Sequence, residues 1–226
     1  KGEDPSKVAG TEALNANDLQ QGFSGGPRLG LIRQSDAGYD LELSYFQVDG
    51  WSSASTIGPD NPPDHLVMRA PGGFLQLQDH DDQGMGWEET TKLYNAELNL
   101  RWHPCDRLAL LAGIRWIALS NNLVGSLVPS DGWPPFWNTR TNNNLFGLQV
   151  GADATLWDRG RFSIEGILKA GVFDDSADQS TGVSIFKQVR PSASARHHAA
   201  FVGETGLQCK YRVARGLSLR AGYELI

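Results

Sequence analysis

The feature that most constrains this chain is an alternation of apolar and polar residues with a period of two. In the segment 92–102, for example, Leu98 and Leu100 are apolar, whereas Asn99 and Arg101 are polar. Successive side chains of a β-strand point to opposite faces, so this segment is expected to form a strand with one apolar face and one polar face. The same alternation marks eight segments, 28–33, 39–45, 92–102, 108–118, 146–156, 162–172, 201–211 and 217–225. With no convincing helical pattern elsewhere, the sequence predicts an all-β fold.

The connections between these segments alternate between short and long. The short ones contain the turn-forming residues Gly, Asp, Pro or Ser and comprise residues 34–38, 103–107, 157–161 and 212–216. The long ones comprise residues 49–91, 119–144 and 174–197. This alternation is typical of an up-and-down antiparallel meander β-barrel, with brief turns at one rim and long loops at the other. We therefore expect a β-barrel domain at 28–226, preceded by a flexible N-terminal segment at 1–27.

Composition excludes several classes of protein. The chain of 226 residues has 20 Lys and Arg against 26 Asp and Glu, a net charge of −6, and no cluster of basic residues, which argues against nucleic-acid binding. It lacks the run of about 18–20 apolar residues that a membrane helix needs, although a membrane barrel needs no such run. Cys105 and Cys209 have no metal-ligand spacing, and an intermolecular disulfide between them stays open.

The aromatic residues favour a membrane barrel over a soluble one. The longer predicted strands have about 11–13 residues, enough to cross a bilayer at a tilt. Aromatic residues lie at both ends of the apolar face and predict two girdles around an aliphatic, lipid-facing band. These girdle residues are Trp102, Trp157, Phe162 and Tyr211 near the short turns, and Tyr94, Trp116, Phe146 and Phe201 near the long loops.

The opposite, polar face of the strands carries the charged residues, and we expect it to line the lumen. The acids are Asp40, Glu42, Glu97, Asp153, Glu165, Glu204 and Glu224, and the bases are Arg28, Arg101, Arg115, Lys169, Lys210 and Arg220. Such a set either forms a charged constriction that selects solutes or pairs into a plug that fills a narrow barrel. Eight to ten strands leave little free bore, which favours the plug.

No catalytic group, metal site or cofactor is predicted. The chain has no nucleophile and base paired on a strand, so we do not expect an enzyme. The acidic stretches 79–82 and 174–178 fall in predicted long loops, where oxygen ligands for calcium are conceivable, but neither has the spacing of a calcium-binding loop.

Four strand segments resemble a family of planctomycete outer-membrane β-barrel, porin-like proteins. They are Gly38–Phe46, Leu93–Leu100, Leu111–Trp116 and Phe146–Ala152, and the resemblance extends over residues 25–226. It implies a barrel in the bacterial outer membrane or at the cell surface, in contact with the lipid bilayer or lipopolysaccharide. It supplies no catalytic residues.

The expected function is therefore that of an outer-membrane, porin-like barrel, either a passive solute channel or a plugged structural barrel. One difficulty is that both ends of the predicted meander lie at the long-loop rim, whereas outer-membrane barrels usually begin and end at the short-turn rim. The segments 28–33 and 217–226 could pair to close eight strands, be part of a ten-stranded barrel, or exchange strands with neighbouring chains in a homo-oligomer. The rival function is a self-assembling structural subunit that forms filaments, tubes or lattices.

Overall fold

The structure, a computed structural model, describes residues 22–35, 38–58, 67–69, 76–78, 84–128, 137–185 and 188–226. The fold is all-β, as predicted. The strands are β1 (Arg28–Arg33), β2 (Tyr39–Ile57), β3 (Val67–Arg69), β4 (Gln76–Gln78), β5 (Gly84–Cys105), β6 (Leu108–Val128), β7 (Trp137–Arg159), β8 (Phe162–Ile185), β9 (Gln188–Ala214) and β10 (Leu217–Leu225). Within these ranges, no helix has the length and apolar character needed to cross a membrane.

Eight strands form one antiparallel sheet in the order β1-β2-β5-β6-β7-β8-β9-β10, and β3 pairs with β4 in a second, two-stranded sheet. Each neighbour in the large sheet follows its predecessor as an up-and-down meander, and this confirms the predicted topology. Three tight turns depend on glycine because the backbone φ angle is positive, at 83° for Gly38, 69° for Gly160 and 81° for Gly216. Glycine adopts this left-handed conformation without the steric cost that a Cβ atom brings.

The predicted strand lengths and long loops are wrong in part. The six inner strands of the large sheet have 19–27 residues instead of about 11–13. Most of the connections predicted at 119–144 and 174–197 are strand, with pairs such as Asn121 with Thr141 and Ser176 with His197. These extensions carry polar residues on both faces, which removes the period-two contrast although the backbone ladder continues. The acidic stretch 174–178 is thus part of β8, while 79–82 lies outside the described residues.

The large sheet is strongly curled. Side chains from strands that are three positions apart in the sheet meet on its concave face, as Arg115 of β6 and Glu204 of β9 do at 2.6 Å. The two edges also approach each other, since Arg28 near the start of β1 lies 2.6 Å from Glu224 of β10. Among the described residues, however, no backbone pairing joins β1 to β10. The closure of eight strands by pairing 28–33 with 217–226 is therefore not observed.

Candidate functional site

The centre of the concave face is a buried polar network around Glu97 of β5. The Glu97 carboxylate accepts hydrogen bonds from Lys169 Nζ at 2.8 Å, Gln149 Nε2 at 2.8 Å, Asn95 Nδ2 at 3.0 Å and Asn99 Nδ2 at 3.1 Å. All five side chains are at most 6% exposed. A carboxylate removed from water in this way stays stable because cations and amide donors replace its hydration.

A second buried carboxylate, Glu204 of β9, completes a balanced cluster with the first. Arg115 Nη2 lies 2.6 Å from Glu204 Oε2, and Lys169 Nζ lies 3.3 Å from Glu204 Oε1. Arg115 Nε also donates a hydrogen bond to Asn95 Oδ1 at 2.6 Å, which links this pair to the Glu97 network. Two acids thus face two bases, so the centre of the concave face is electrically neutral and joined across four strands.

Two further ion-pair groups lie between this centre and the short turns. Arg101 pairs with Glu42 and also with Asp153, whose Oδ2 is 2.7 Å from Arg101 Nη1. Nearer the turn between β8 and β9, Glu165 accepts a hydrogen bond from Lys210 at 2.9 Å. Arg220 Nη2 lies 3.8 Å from Glu165.

Arg28 ties the two edges of the sheet together on the concave side. Its guanidinium bonds Glu224 Oε1 at 2.6 Å, lies 3.8 Å from Glu204, and stands 4.7 Å from the ring centroid of Phe46. A guanidinium over an aromatic face gains a cation–π attraction in addition to its ion pair. The edges of the sheet are therefore held by side chains where the backbone ladder is missing.

An apolar layer covers the polar centre on the side away from the short turns. Ile117, Leu145 and Phe173 are 2–9% exposed and form one cluster, with Leu93 and Val202 among its partly buried neighbours. Sequence reasoning missed this layer because it assigned the apolar residues to the other face.

Two glycines make room for the Phe173 ring in this layer. A Cβ atom on Gly147 would lie 2.8 Å from Phe173 Cδ1, and one on Gly171 would lie 2.7 Å from Phe173 Cε2. Both distances are too short for carbon atoms, so only glycine fits beside the ring in this arrangement. Glycines on the predicted lumen face, two positions from an aromatic residue of the same face, are the sequence signal that could have revealed the layer.

The structure places all thirteen charged residues predicted to line the lumen on the concave face. They are Arg28, Asp40, Glu42, Glu97, Arg101, Arg115, Asp153, Glu165, Lys169, Glu204, Lys210, Arg220 and Glu224. Twelve of them belong to the ion-pair groups above, and Asp40 accepts a hydrogen bond from the Ser35 backbone at 3.2 Å. The uncharged Asn95, Asn99 and Gln149, which join the charges into one network, were not predicted.

The convex face of the same strands is apolar and exposed. Leu148 is 69% exposed, Leu168 is 64% and Leu219 is 63%, although these are among the largest aliphatic side chains of the sheet. Soluble proteins seldom expose a continuous apolar surface of this extent. The convex face therefore requires a cover that is itself apolar.

The predicted aromatic residues flank this aliphatic surface. Trp102, Trp116, Phe146, Trp157, Phe162 and Phe201 are 38–74% exposed, and Tyr94 and Tyr211 are half-buried. Trp116 and Phe146 are cross-strand neighbours at one end, and the Phe162 and Tyr211 rings lie 4.7 Å apart at the other. Phe201 and Tyr211 are ten positions apart on β9, which corresponds to about 33 Å along the strand.

Cys105 and Cys209 are both exposed free thiols. In the part of the chain that the structure describes, no group of three or more metal-ligating side chains is gathered.

The chain was compared with family models, with curated proteins and with solved structures, and none of them matches it. The resemblance to outer-membrane barrel proteins consequently remains an expectation.

Proposed function

We propose that this protein is a β-barrel of a bacterial outer membrane whose interior is closed by a network of ion pairs. The observation that carries the proposal is the exposed aliphatic surface of the convex face, flanked by aromatic residues at both ends. In water, that surface would cost roughly 25 cal/mol for each Å² of exposed apolar area. In a bilayer the lipid chains cover it, and the aromatic rings lie at the level of the headgroups.

The filled concave face favours a structural barrel over a passive solute channel. Glu97, Lys169, Arg115 and Glu204 bond across the interior, and Phe173 lies in the apolar layer beside them. A solute would have to separate buried ion pairs to pass, and this is costly in an interior with little water. We therefore propose a structural barrel of the cell envelope that does not conduct solutes in its resting form.

Charge scanning of β7 tests the membrane assignment. Leu148→Arg places a cation in the middle of the aliphatic surface, whereas Asn138→Arg places it on an exposed polar position of the same strand beyond the aromatic residues. We expect Leu148→Arg to lower stability in phospholipid vesicles by about 2–4 kcal/mol and Asn138→Arg by about 1 kcal/mol or less. The measurement is urea unfolding in vesicles, followed by tryptophan fluorescence. Equal effects of the two substitutions would overturn the proposal.

Single-channel recording in planar bilayers tests whether the interior is closed. The full chain should insert without producing steady conductance steps. Reproducible steps of one size would contradict the closed interior and support a solute channel.

A second candidate function follows from the unpaired edges of β1 and β10. Among the described residues neither edge has a backbone partner, and free N–H and C=O groups on such edges can recruit strands of other chains. In a self-assembling subunit, neighbouring copies would cover the apolar surface instead of lipid. Electron microscopy of the protein without detergent distinguishes the two functions. Filaments, tubes or lattices would favour assembly, and dependence on detergent would favour the membrane barrel.

A further inference from the structure

Beyond Trp116 and Phe146, towards the strand extensions, the convex face of β5 to β8 contains a polar depression of about 360 Å³. Its lining includes Lys92, Tyr94, Ser120, Arg140, Asn142 and Asn144. We propose that this depression binds the phosphate-bearing headgroup of an anionic lipid. The inference rests on the proposed membrane location and adds to it a specific lipid site.

The register of the sheet sets the height of the depression relative to the aliphatic surface. Trp116 and Phe146 pair across β6 and β7, and Ala118 and Asn144 form the next outward pair towards the strand extensions. The following outward pair, Ser120 with Asn142, lies in the depression, and Lys92 pairs with Ser120 from β5. The depression thus begins at the level of Tyr94, one outward pair beyond Trp116 and Phe146, where lipid headgroups lie in a bilayer.

The two cations of the depression differ from those of the concave face. Arg115 and Lys169 are buried and neutralised by carboxylates inside the sheet. Lys92 and Arg140 are exposed, and among the described residues neither has an ion-pair or hydrogen-bond partner. Lys92 and Arg140 line the same depression at headgroup level, where two cations face the single carboxylate of Asp178. The resulting net positive charge attracts a phosphate group.

The single acid of the depression is already engaged with an amide. Asp178 Oδ2 accepts a hydrogen bond from Asn142 Nδ2 at 2.9 Å, and Asn142 Oδ1 accepts one from Ser120 Oγ at 2.8 Å. On the opposite wall, Tyr94 donates a hydrogen bond to Asp49 at 2.7 Å, which orients its ring at the lower border of the depression. These hydrogen bonds fix the side chains that line the depression. The Lys92 ammonium and the Arg140 guanidinium take no part in them and stay available to a ligand.

The surroundings favour a lipid phosphate over free phosphate. Below the depression, Trp116, Phe146 and Leu148 form a continuous apolar surface that acyl chains can follow. A lipid can therefore contact the protein through its phosphate and through its acyl chains, whereas free phosphate can contact only the polar and charged groups of the depression.

The test uses the full chain in neutral detergent micelles, titrated with dioleoyl phosphatidic acid and followed by native mass spectrometry. Lys92→Gln and Arg140→Gln should each weaken binding about fivefold, and the double variant about thirtyfold. The control is Arg159→Gln, an exposed arginine of β7 at the short-turn end, which should leave binding unchanged. Dioleoyl phosphatidylcholine should not compete.

Each alternative outcome overturns the inference. An equal loss with Arg159→Gln would show that binding follows overall charge, and unchanged binding in the double variant would remove the site. Inorganic phosphate that displaces the lipid at comparable concentration would show a free-phosphate site instead. The proposed function fails independently, if Leu148→Arg and Asn138→Arg affect stability in vesicles equally.

Discussion

The two faces of the large sheet reverse the usual arrangement of a soluble protein. On β7, Gln149 is 3% exposed and bonds to Glu97 and Asn99, while its neighbour Leu148 is 69% exposed. One step along the backbone thus separates a buried amide from an exposed leucine. The hydrogen bonds and ion pairs of this sheet therefore lie among buried polar side chains of the concave face, whereas its aliphatic side chains are exposed on the convex face.

The largest effect is expected from breaking the polar interior. Arg115→Ala removes the cation closest to Glu204 and the donor that Asn95 Oδ1 accepts from, and leaves the buried Glu204 carboxylate with Lys169 at 3.3 Å and Arg28 at 3.8 Å. Breaking a buried pair in this way costs about 3–5 kcal/mol. The measurement is urea unfolding in vesicles, and the exposed Arg196→Ala on the extension of β9 is the control.

The same experiment separates an ion pair from mere packing. If the cost arises from the unpaired carboxylate, adding Glu204→Met to Arg115→Met should recover most of the stability that either substitution loses alone. A double variant as unstable as the sum of the two single variants would contradict a coupled pair.

A medium effect is expected from filling the space beside Phe173. In Gly171→Ala the new Cβ would lie 2.7 Å from Phe173 Cε2 and 2.7 Å from the Leu148 carbonyl oxygen. Overpacking of this kind costs about 1–3 kcal/mol. Gly203→Ala on the convex face of β9 is the matched control because no atom lies within 4 Å of its added Cβ. Equal stability of the two variants in urea would show that the apolar layer is not tightly packed.

The smallest effect is expected at the border between the two environments. Tyr94→Phe removes only the hydrogen bond to Asp49, which is exposed, and should lower stability less than Gly171→Ala does. Tyr39→Phe, at the opposite end of the aliphatic surface, should change stability less. A larger loss for Tyr39→Phe in the same unfolding measurement would contradict the assigned role of the Tyr94 hydroxyl.

Much of this arrangement could be predicted from the sequence, because a period of two assigns each residue to a face before any contact is known. The parity that places Leu98 on one face and Glu97 on the other is a local property of the strand. The contacts between distant strands could not be predicted in this way. Glu97 of β5 reaches Lys169 of β8 only because the sheet curls between them, and no local sequence pattern encodes that curvature.

The strand extensions and the apolar layer were missed for physical reasons. Residues 119–128 and 174–185 pair through the backbone, which any side chain permits, so their polar composition concealed the ladder. Leu145 and Phe173 depart from the polar character of their face. Phe173 fits there because Gly147 and Gly171 leave room for its ring, and Leu145 packs in the same cluster. The sequence therefore predicts the structure well where one face of a strand is uniformly polar or apolar, and poorly where polar and apolar residues lie on the same face.

The central claim, that lipid covers the convex face, is tested most directly by placing a fluorescent probe on each environment of one strand. In a background of Cys105→Ser and Cys209→Ser, the variants Leu148→Cys and Asn138→Cys are labelled with an environment-sensitive dye and folded into vesicles. If lipid covers the convex face, brominated acyl chains should quench the dye at position 148 and aqueous iodide should quench it at position 138. Quenching of both positions by iodide, with no effect of brominated lipid, would contradict it.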